Sequence, residues 1–517
     1  MILLATLNAR YAHASLGLRY LRANMGELRE RTRLQEFVLG ARTEAVVEKL
    51  LAHEPRIIGF GVYIWNVEET TRIVAMLKTL RPDITVVLGG PEVSFEVERQ
   101  RICALADYVV TGWGDVTFAR LCRQILDGPR PLTKVHAGEQ PPLAEIAMPY
   151  DEYTERDLAE RHVYVEASRG CPFKCEFCLS ALDKTAWPFD VEAFLAELDA
   201  LYARGARRFK FVDRTFNLNV ATSLRILEFF LERIEAAPDD PCFAHFELVP
   251  DHLPDALKES IARFPAGTLQ LEIGIQTFNP EVQQRISRKQ NNQKAADNIA
   301  WLAAHSQAHL HVDLIAGLPG ESLASFGAGF DRLLALRPHE IQFGILKRLR
   351  GSPIARHTEA YAMRYNPDPP YNILANDQLD FATMQRLVRY ARYWDLVANS
   401  GRFAGVLPLL LVAGREESAF AHFLAFSDWL YERTAQTHQL ALERLFDLLR
   451  EYLVEQRGVA KLAVTALLDA DYRRSGARGR KSGSESFAVP ANGSPVPRES
   501  APAGSNALPR QARHLAA

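Results

Sequence analysis

Arg169-Gly170-Cys171-Pro172-Phe173-Lys174-Cys175-Glu176-Phe177-Cys178 places three thiols within eight residues, on a stretch whose Gly170 and Pro172 favour a loop over a helix. Thiolates are the soft donors that iron–sulfur clusters and zinc select. Zinc motifs usually join one closely spaced Cys couple to a second, distant couple. No second couple exists here, although His162 or Cys242 would be available to complete a zinc set. A four-iron cluster held by three protein thiolates keeps one iron open to a reactant. Cys171, Cys175 and Cys178 are therefore the candidate metal ligands. Cys103, Cys122 and Cys242 lie in apolar contexts, where a buried inert thiol is the default.

The loop follows an apolar run at 163–168, the first of a series. Further runs at 208–213, 243–249, 269–276, 310–315 and 341–346 alternate with helical patterns such as 191–204 and 292–305. Strands spaced by helices predict a parallel βα series. Six such strands predict a partial (β/α)6 barrel, with the active site at the strands' carboxyl ends. The cysteines fall at the end of its first strand.

Upstream, runs at 2–6, 57–63, 84–90 and 107–112, with an amphipathic stretch at 66–80, predict a doubly wound parallel α/β sheet. Ligands bind such sheets at the strands' carboxyl ends. Those ends carry Asn8-Ala-Arg-Tyr-Ala-His13-Ala-Ser15, Gly89-Gly90-Pro-Glu92-Val-Ser94 and Gly112-Trp113-Gly114-Asp115. Two readings stand: tight βα turns, or glycines that let the backbone approach a bulky ligand. The five prolines at 129, 131, 141, 142 and 149 mark an interdomain linker.

Beyond Pro367-Asp-Pro-Pro370 the pattern turns helical, over 377–399, 418–434 and 441–456. From Arg473 on, eight Lys or Arg face two Glu in a Ser-, Gly-, Pro- and Ala-rich stretch that predicts a disordered tail. The predicted organisation is 1–135 a Rossmann-like domain, 136–155 a linker, 156–372 a barrel, 373–472 a helical domain and 473–517 a tail.

Hydrophobic residues at 48% and charged residues at 24% predict a folded chain, and a net charge of -2 gives no overall field that favours nucleic acid or an anionic membrane. The opening apolar run is too short for a signal peptide, and no run approaches the roughly 20 residues of a membrane span. A cytoplasmic setting with reduced thiols is expected, with no membrane partner and an oligomeric state left open.

Cys-x3-Cys-x-aromatic-Cys after the first strand of a βα series resembles the radical S-adenosylmethionine superfamily. The resemblance implies a 4Fe-4S cluster on Cys171, Cys175 and Cys178. Its open iron chelates the amino and carboxylate groups of S-adenosylmethionine, and electron transfer then yields a 5′-deoxyadenosyl radical. Leu271-Glu272-Ile-Gly274-Ile-Gln276-Thr-Phe with Ile286-Ser-Arg288 is similar to the cofactor-contacting strand and helix of the branch that includes coproporphyrinogen dehydrogenases and methylthiotransferases. That implies Glu272 and Gln276 for ribose or amino groups, Arg288 for the carboxylate, and Phe177 as the motif's aromatic contact. Asp313-Leu-Ile-Ala-Gly317-Leu-Pro-Gly-Glu321 matches the next strand and turn, with Gly317 beside the cofactor. Asp213 stands where many members have the Glu of Gly-Gly-Glu, which implies it as the partner of the cofactor's methionine amino group.

The first domain resembles the cobalamin-binding domain of a large radical subclass, which implies cobalamin contacts at Ser15, Gly89, Gly90, Gly112 and Gly114. Trp113 and Asp115 replace the two Glu of the commoner Gly-Glu-Gly-Glu. The Asp-x-His-x-x-Gly motif that supplies a cobalt ligand elsewhere is absent. His13 is read as a satisfied loop histidine or as a lower ligand, and the domain as a cobalamin site or a relic. Taken whole, the ordered chain resembles an uncharacterised bacterial subfamily of such proteins with an extra helical C-terminal domain.

Three functions follow as expectations. The first is methylation of an unactivated carbon in a small-molecule or natural-product substrate, with electrons from a low-potential donor such as flavodoxin or ferredoxin. The second is radical oxidation or ring closure without net methylation. The third is a non-catalytic iron–sulfur redox sensor. No catalytic residue of the protein itself is assigned.

Overall fold

The computed structural model describes residues 1–411, 418–475 and 509–515. They form two compact units, one of 1–216 with 347–356 and 365–372, the other of the remaining described residues.

The opening Ile-Leu-Leu-Ala-Thr-Leu-Asn becomes a fully buried strand, β1 (Ile2–Asn8). A continuous buried run marks a parallel strand covered on both faces. β2 (Thr32–Val38), β3 (Ile57–Gly61), β4 (Thr85–Gly89), β5 (Tyr108–Thr111) and β6 (Val135–Ala137) complete a parallel sheet of order β2-β1-β3-β4-β5-β6. On one face α2 (Thr43–Leu51), α3 (Val67–Leu80) and α4 (Arg101–Leu105) bury Val47, Leu50, Val74 and Leu77 against Leu3, Ile58 and Val86. On the other, α1 (Leu16–Ala23) and α5 (Asp115–Asp127) bury Leu18, Phe118 and Leu121 against Ile2, Leu4 and Val87. The strand order reverses between β1 and β3, the crevice position of doubly wound sheets.

The four strands read from the sequence are all present, and the structure adds the two edge strands. The stretch read as a linker differs most from expectation. Val135–Ala137 pairs with β5 as the sixth strand, and Leu143 and Ile146 are buried with Tyr20 and Phe189. Two of its prolines, Pro142 and Pro149, lead into short 3-10 turns, and the chain stays attached to the core.

In the same unit, α6 (Glu155–Glu160) leads into β7 (Val163–Val165). A two-residue antiparallel ladder of β8 (Ser168–Arg169) with β9 (Trp187–Pro188) closes the loop that carries the cysteines. α7 (Val191–Ala203) then returns to β10 (Arg208–Phe211), parallel to β7.

The second unit continues the βα series. α8 (Val220–Ala236), β11 (Phe243–Leu248), α9 (Asp255–Ala262), β12 (Leu269–Gln276), α10 (Pro280–Arg285), α11 (Asn292–His305), β13 (His309–Ala316), α12 (Leu323–Ala335) and β14 (Glu340–Ile345) follow in order. β11 to β14 pair in parallel with sequential neighbours. All six strands expected of the second series are thus strands.

The helical region holds α13 (Phe381–Val397), α14 (Leu407–Leu411), α15 (Ala419–Thr434), α16 (Leu442–Glu451) and α17 (Lys461–Arg474). Its aromatic spacing is core: Tyr390, Trp394 and Phe420 pack with Phe330 of α12, and Phe423 packs with Tyr390 and Trp394. Of the tail expected to be disordered, 476–508 and 516–517 lie outside the described residues. Arg473 and Arg474 end α17, and Pro509–Leu515 forms a helix, α18. That segment is ordered by charge: Arg510 reaches Asp395 at 2.7 Å and the buried Glu340 at 3.0 Å. No helix of the described residues is long and apolar enough to cross a membrane.

Candidate functional site

At the carboxyl ends of β1, β3, β4 and β5 the first unit opens a cavity of about 330 Å³. Gly59, Gly61, Gly89, Gly90, Gly112 and Gly114 line it, with Tyr20, Tyr63 and Trp113 among the larger side chains. Four of the five residues expected at cobalamin, Gly89, Gly90, Gly112 and Gly114, are therefore brought together. The fifth, Ser15, is the N-cap of α1, its hydroxyl accepting from the Leu18 N–H at 3.4 Å. The glycines serve different ends. At Gly90, with φ +109°, a Cβ would lie 2.5 Å from the Val62 carbonyl oxygen, so the requirement there is backbone packing. At Gly112, with φ +70°, a Cβ would meet nothing within 4 Å.

No histidine lines this cavity. His13 shares a hydrogen bond of 2.6 Å with the Tyr164 hydroxyl, and burial holds its pKa below the ordinary value. It is the satisfied loop histidine of the two readings. The turn that carries it is pinned by Glu36, which accepts from Asn8 and from the Ser15 N–H and pairs with Arg19 and Arg161.

The charged edge of the cavity is Asp115, Glu166 and Arg169. Arg169 donates to both oxygens of Asp115, at 2.9 and 3.2 Å, and to Glu166 at 2.7 Å. Its guanidinium sits 4.4 Å from the Tyr20 ring centroid and 5.0 Å from that of Trp113. Burial alone would weaken the Arg169 cation, but the two carboxylates reverse this and raise its pKa. Burial raises that of Glu166, with Arg169 opposing. Arg169 is the first residue of the cysteine stretch, so the charged edge belongs to the cluster loop as much as to the sheet.

Within that loop Cys171 and Cys175 are buried and Cys178 is half-buried, with Phe177 half-buried beside it. The Cys171 N–H donates to the Asp183 carbonyl at 2.8 Å and the Cys178 N–H to the Cys175 carbonyl at 3.1 Å. Gly170, at φ +89°, has no room for a Cβ against Ala186 N at 2.8 Å. Burial pushes the Cys171 thiol up, and Cys178 and Cys175 push it further. Three thiols close enough to oppose one another's ionisation fit a cationic cluster, which removes that penalty. Among the described residues no group of three or more His, Cys, Asp or Glu side chains is already gathered around one metal position, the three thiols included. Asp213 lies beneath the loop: its carboxylate accepts from Ala167 N–H at 2.9 Å and from Ser168 Oγ at 2.6 Å, and burial pushes its pKa up to about 7.

In the second unit β12 alternates buried Leu269, Leu271, Ile273 and Ile275 with half-buried Gln270, Glu272, Gly274 and Gln276. Glu272 and Gln276 therefore share one face. Glu272 is 3.1 Å from His245. A bulge between Gly274 and Gln276 leaves Gln276 at φ +69°. Left-handed backbone in a non-glycine residue at a strand end is strain of the kind that functional sites retain. Arg288 donates to the Gly274 carbonyl and, at 3.0 Å, to Gln290. Gly317, at φ +88°, has Ile373 at 2.5 Å from where a Cβ would stand. Glu321 accepts from Thr277 at 2.6 Å, and burial pushes its pKa up to about 7.

Residues the sequence reading passed over are Arg169, Glu166 and the segment 347–356. Arg350 of that segment pairs with Glu92 at 2.9 Å and Glu96 at 2.8 Å. Adjacency of Arg169 to the first cysteine was the available signal. Nothing local marks Arg350.

Comparisons agree with this geometry. The B12 binding domain model matches residues 2–122, the Radical SAM superfamily model 165–332, and a protein of unknown function model, DUF4080, 359–483. An uncharacterized methyltransferase of Pyrococcus horikoshii is 27% identical over 52% of this chain and 62% of its own. A cobalamin-dependent radical SAM methyltransferase, TokK, of Streptomyces tokunonensis is 25% identical over 62% of this chain and 51% of its own. The chain thus spans about half to three fifths of these relatives' length. The solved cobalamin-dependent S-adenosylmethionine radical enzyme OxsB, with aqua-cobalamin bound, shares the fold at TM-score 0.62 and 14% identity, over 92% of this chain and 79% of that one. The chain thus carries, in order, a B12 binding domain, a Radical SAM superfamily domain and a DUF4080 region.

Proposed function

We propose that the chain is a cobalamin-dependent radical SAM methyltransferase that methylates an unactivated carbon of a small-molecule substrate in the cytoplasm, with electrons from a flavodoxin or ferredoxin. One observation carries the reading: a single compact unit holds both the three-thiol loop and a glycine-lined cleft, and Arg169 lies on both. When bound, the reduced cluster supplies the electron that cleaves S-adenosylmethionine, and cobalamin supplies a metal centre able to carry a methyl group.

Cys171, Cys175 and Cys178 hold the cluster in this reading. Asp213, locked under Ala167 and Ser168, positions the strand that delivers the loop. Glu272 and Gln276 hydrogen-bond the cofactor's ribose or amino group, Arg288 pairs with its carboxylate, and Gly317 and Phe177 allow its close approach. Ser15, Gly89, Gly90, Gly112 and Gly114 form the cobalamin cleft.

The test is anaerobic reconstitution with S-adenosylmethionine carrying a labelled methyl group, a strong reductant, cobalamin and candidate substrates. The reading predicts 5′-deoxyadenosine together with a labelled product heavier by one methyl group. Ring closure or oxygenation without the label overturns the methyltransferase reading, and failure to release 5′-deoxyadenosine overturns the radical one.

A further inference from the structure

Two separate sets of contacts run between the cleft loops and the cluster loop inside the first unit. One lies on the amino-terminal side of the cysteines. Asp115, from the Gly112-Trp-Gly-Asp115 loop, grips Arg169 through both oxygens, and Trp113 of the same loop donates from Nε1 to Asp183 at 2.9 Å. Asp183 in turn accepts the Cys171 N–H through its carbonyl and holds Thr185 through its side chain at 2.6 Å. Both residues that depart from the commoner Gly-Glu-Gly-Glu are thus the ones that reach the cluster loop.

The other set reaches the loop at Glu176, between its second and third cysteines, and uses 347–356. From this segment Arg350 and Arg348 pair with Glu96 at 2.8 and 2.7 Å, and Arg350 also pairs with Glu92. Tyr371 donates to Glu92 at 2.6 Å and accepts from Arg350 at 3.0 Å. The ring of Phe95 fills the space where a Gly351 side chain would stand. Glu92, Phe95 and Glu96 belong to the loop that begins with Gly89 and Gly90. A few residues on, the same segment holds the cluster loop: Ile354 N–H donates to the Glu176 carbonyl at 2.9 Å, and Arg356 pairs with the buried Glu176 carboxylate. Glu176 lies between Cys175 and Phe177.

We propose that Arg169 and the segment 347–356 are the two arms of a brace that couples occupancy of the glycine-lined cleft to the conformation of the cluster loop, with Arg169 and Arg350 as positioning residues. The physical basis is that each arm ties a cleft loop to the cluster loop, one at Arg169 ahead of Cys171 and the other at Glu176 between Cys175 and Cys178. A ligand that fixes the 89–96 and 112–115 loops therefore removes freedom from 169–178 as well. Fixed bidentate arginine contacts transmit this better than a point charge would, because the guanidinium fork sets direction as well as distance. Coupling of this kind is reciprocal: the cluster must tighten cobalamin binding by the same factor by which cobalamin favours the cluster.

The inference rests on the proposed presence of both cofactors, and the experiment separates the two claims. The dissociation constant of hydroxocobalamin is measured by its absorption change on the full chain, once cluster-free and once after anaerobic reconstitution with iron and sulfide. The wild-type protein is expected to bind about tenfold more tightly with the cluster, within the usual range of coupling. Asp115→Asn and Glu96→Gln, near-isosteric changes that each remove an ion pair from one arm, are expected to shrink that ratio to about threefold or less. Circular dichroism confirms their folding. Arg169→Lys, which keeps the charge and loses the fork, is expected to shrink it likewise. Cobalamin bound equally with and without the cluster overturns the coupling alone, as does an undiminished ratio in all three variants. No cobalamin bound by wild type in either form overturns the functional reading and the coupling with it.

Discussion

In the first unit the ligand-facing loops are fixed by ion pairs that reach from one loop to another, as Arg169 does with Asp115 and Glu166. In the second unit the corresponding strand end is fixed by its own backbone: β12 bulges after Gly274 and holds Gln276 at φ +69°. The first arrangement can respond when a ligand moves one partner. The second is set within one strand, by its bulge and a left-handed residue. The contrast matches what each place is asked to do in the proposed function: admit a bulky cofactor beside a cluster, and orient a small one.

The largest effects are expected at the loop that both arms of the first unit serve. Cys171→Ala, Cys175→Ala and Cys178→Ala should each abolish cluster retention and S-adenosylmethionine cleavage, since two thiolates do not hold the cluster. Iron content and 5′-deoxyadenosine release after anaerobic reconstitution check this. Arg169→Ala should lower stability by about 3–5 kcal/mol, because Asp115 and Glu166 are left as buried charges without their cation. Denaturant unfolding of the cluster-free chain measures it, and a loss under about 1 kcal/mol would show that the ion pairs do not fix the loop.

Gly90→Ala should cost about 2–3 kcal/mol, since the added methyl meets the Val62 carbonyl as well as an unfavourable φ. Gly112→Ala, where the methyl meets open space, should cost only the backbone strain of about 1 kcal/mol. Asp213 offers a pH test of the same loop. Its folded pKa of about 7 lies above the unfolded value of 3.8, so the folded state binds the extra proton between these values. Its contribution is fully present below pH 3.8 and is lost as pH rises through 7. Asp213→Asn should flatten the fall in unfolding midpoint across that window. The smallest effect is on the second unit: Gln276→Gly should relieve the strained φ and raise stability by about 1 kcal/mol while weakening S-adenosylmethionine retention.

Much of this fold was legible because it is local. The buried run of β1, the alternation of β12 and the three-cysteine spacing are patterns within ten residues. The edge strand β2 escaped because Arg33, Gln35 and Glu36 interrupt its apolar alternation; Glu36 is buried only because Arg19 and Arg161 neutralise it. The 347–356 segment's role was illegible for the same reason, since Arg350 finds Glu92 across 258 residues. The glycines were legible as a group but not in their roles, because the need at Gly90 is set by Val62 and not by a ligand. The ordering of α18 depends on Glu340, far from it in sequence, and composition alone hid it.

The most direct measurement counts both metals in one sample. The chain is reconstituted anaerobically with iron, sulfide and hydroxocobalamin, desalted, and analysed for iron and cobalt together. The account predicts about four irons and one cobalt per chain, with the iron lost from Cys171→Ala and cobalt retention weakened alongside it. Iron retained at that level with no cobalt would contradict the central claim that one unit holds both cofactors.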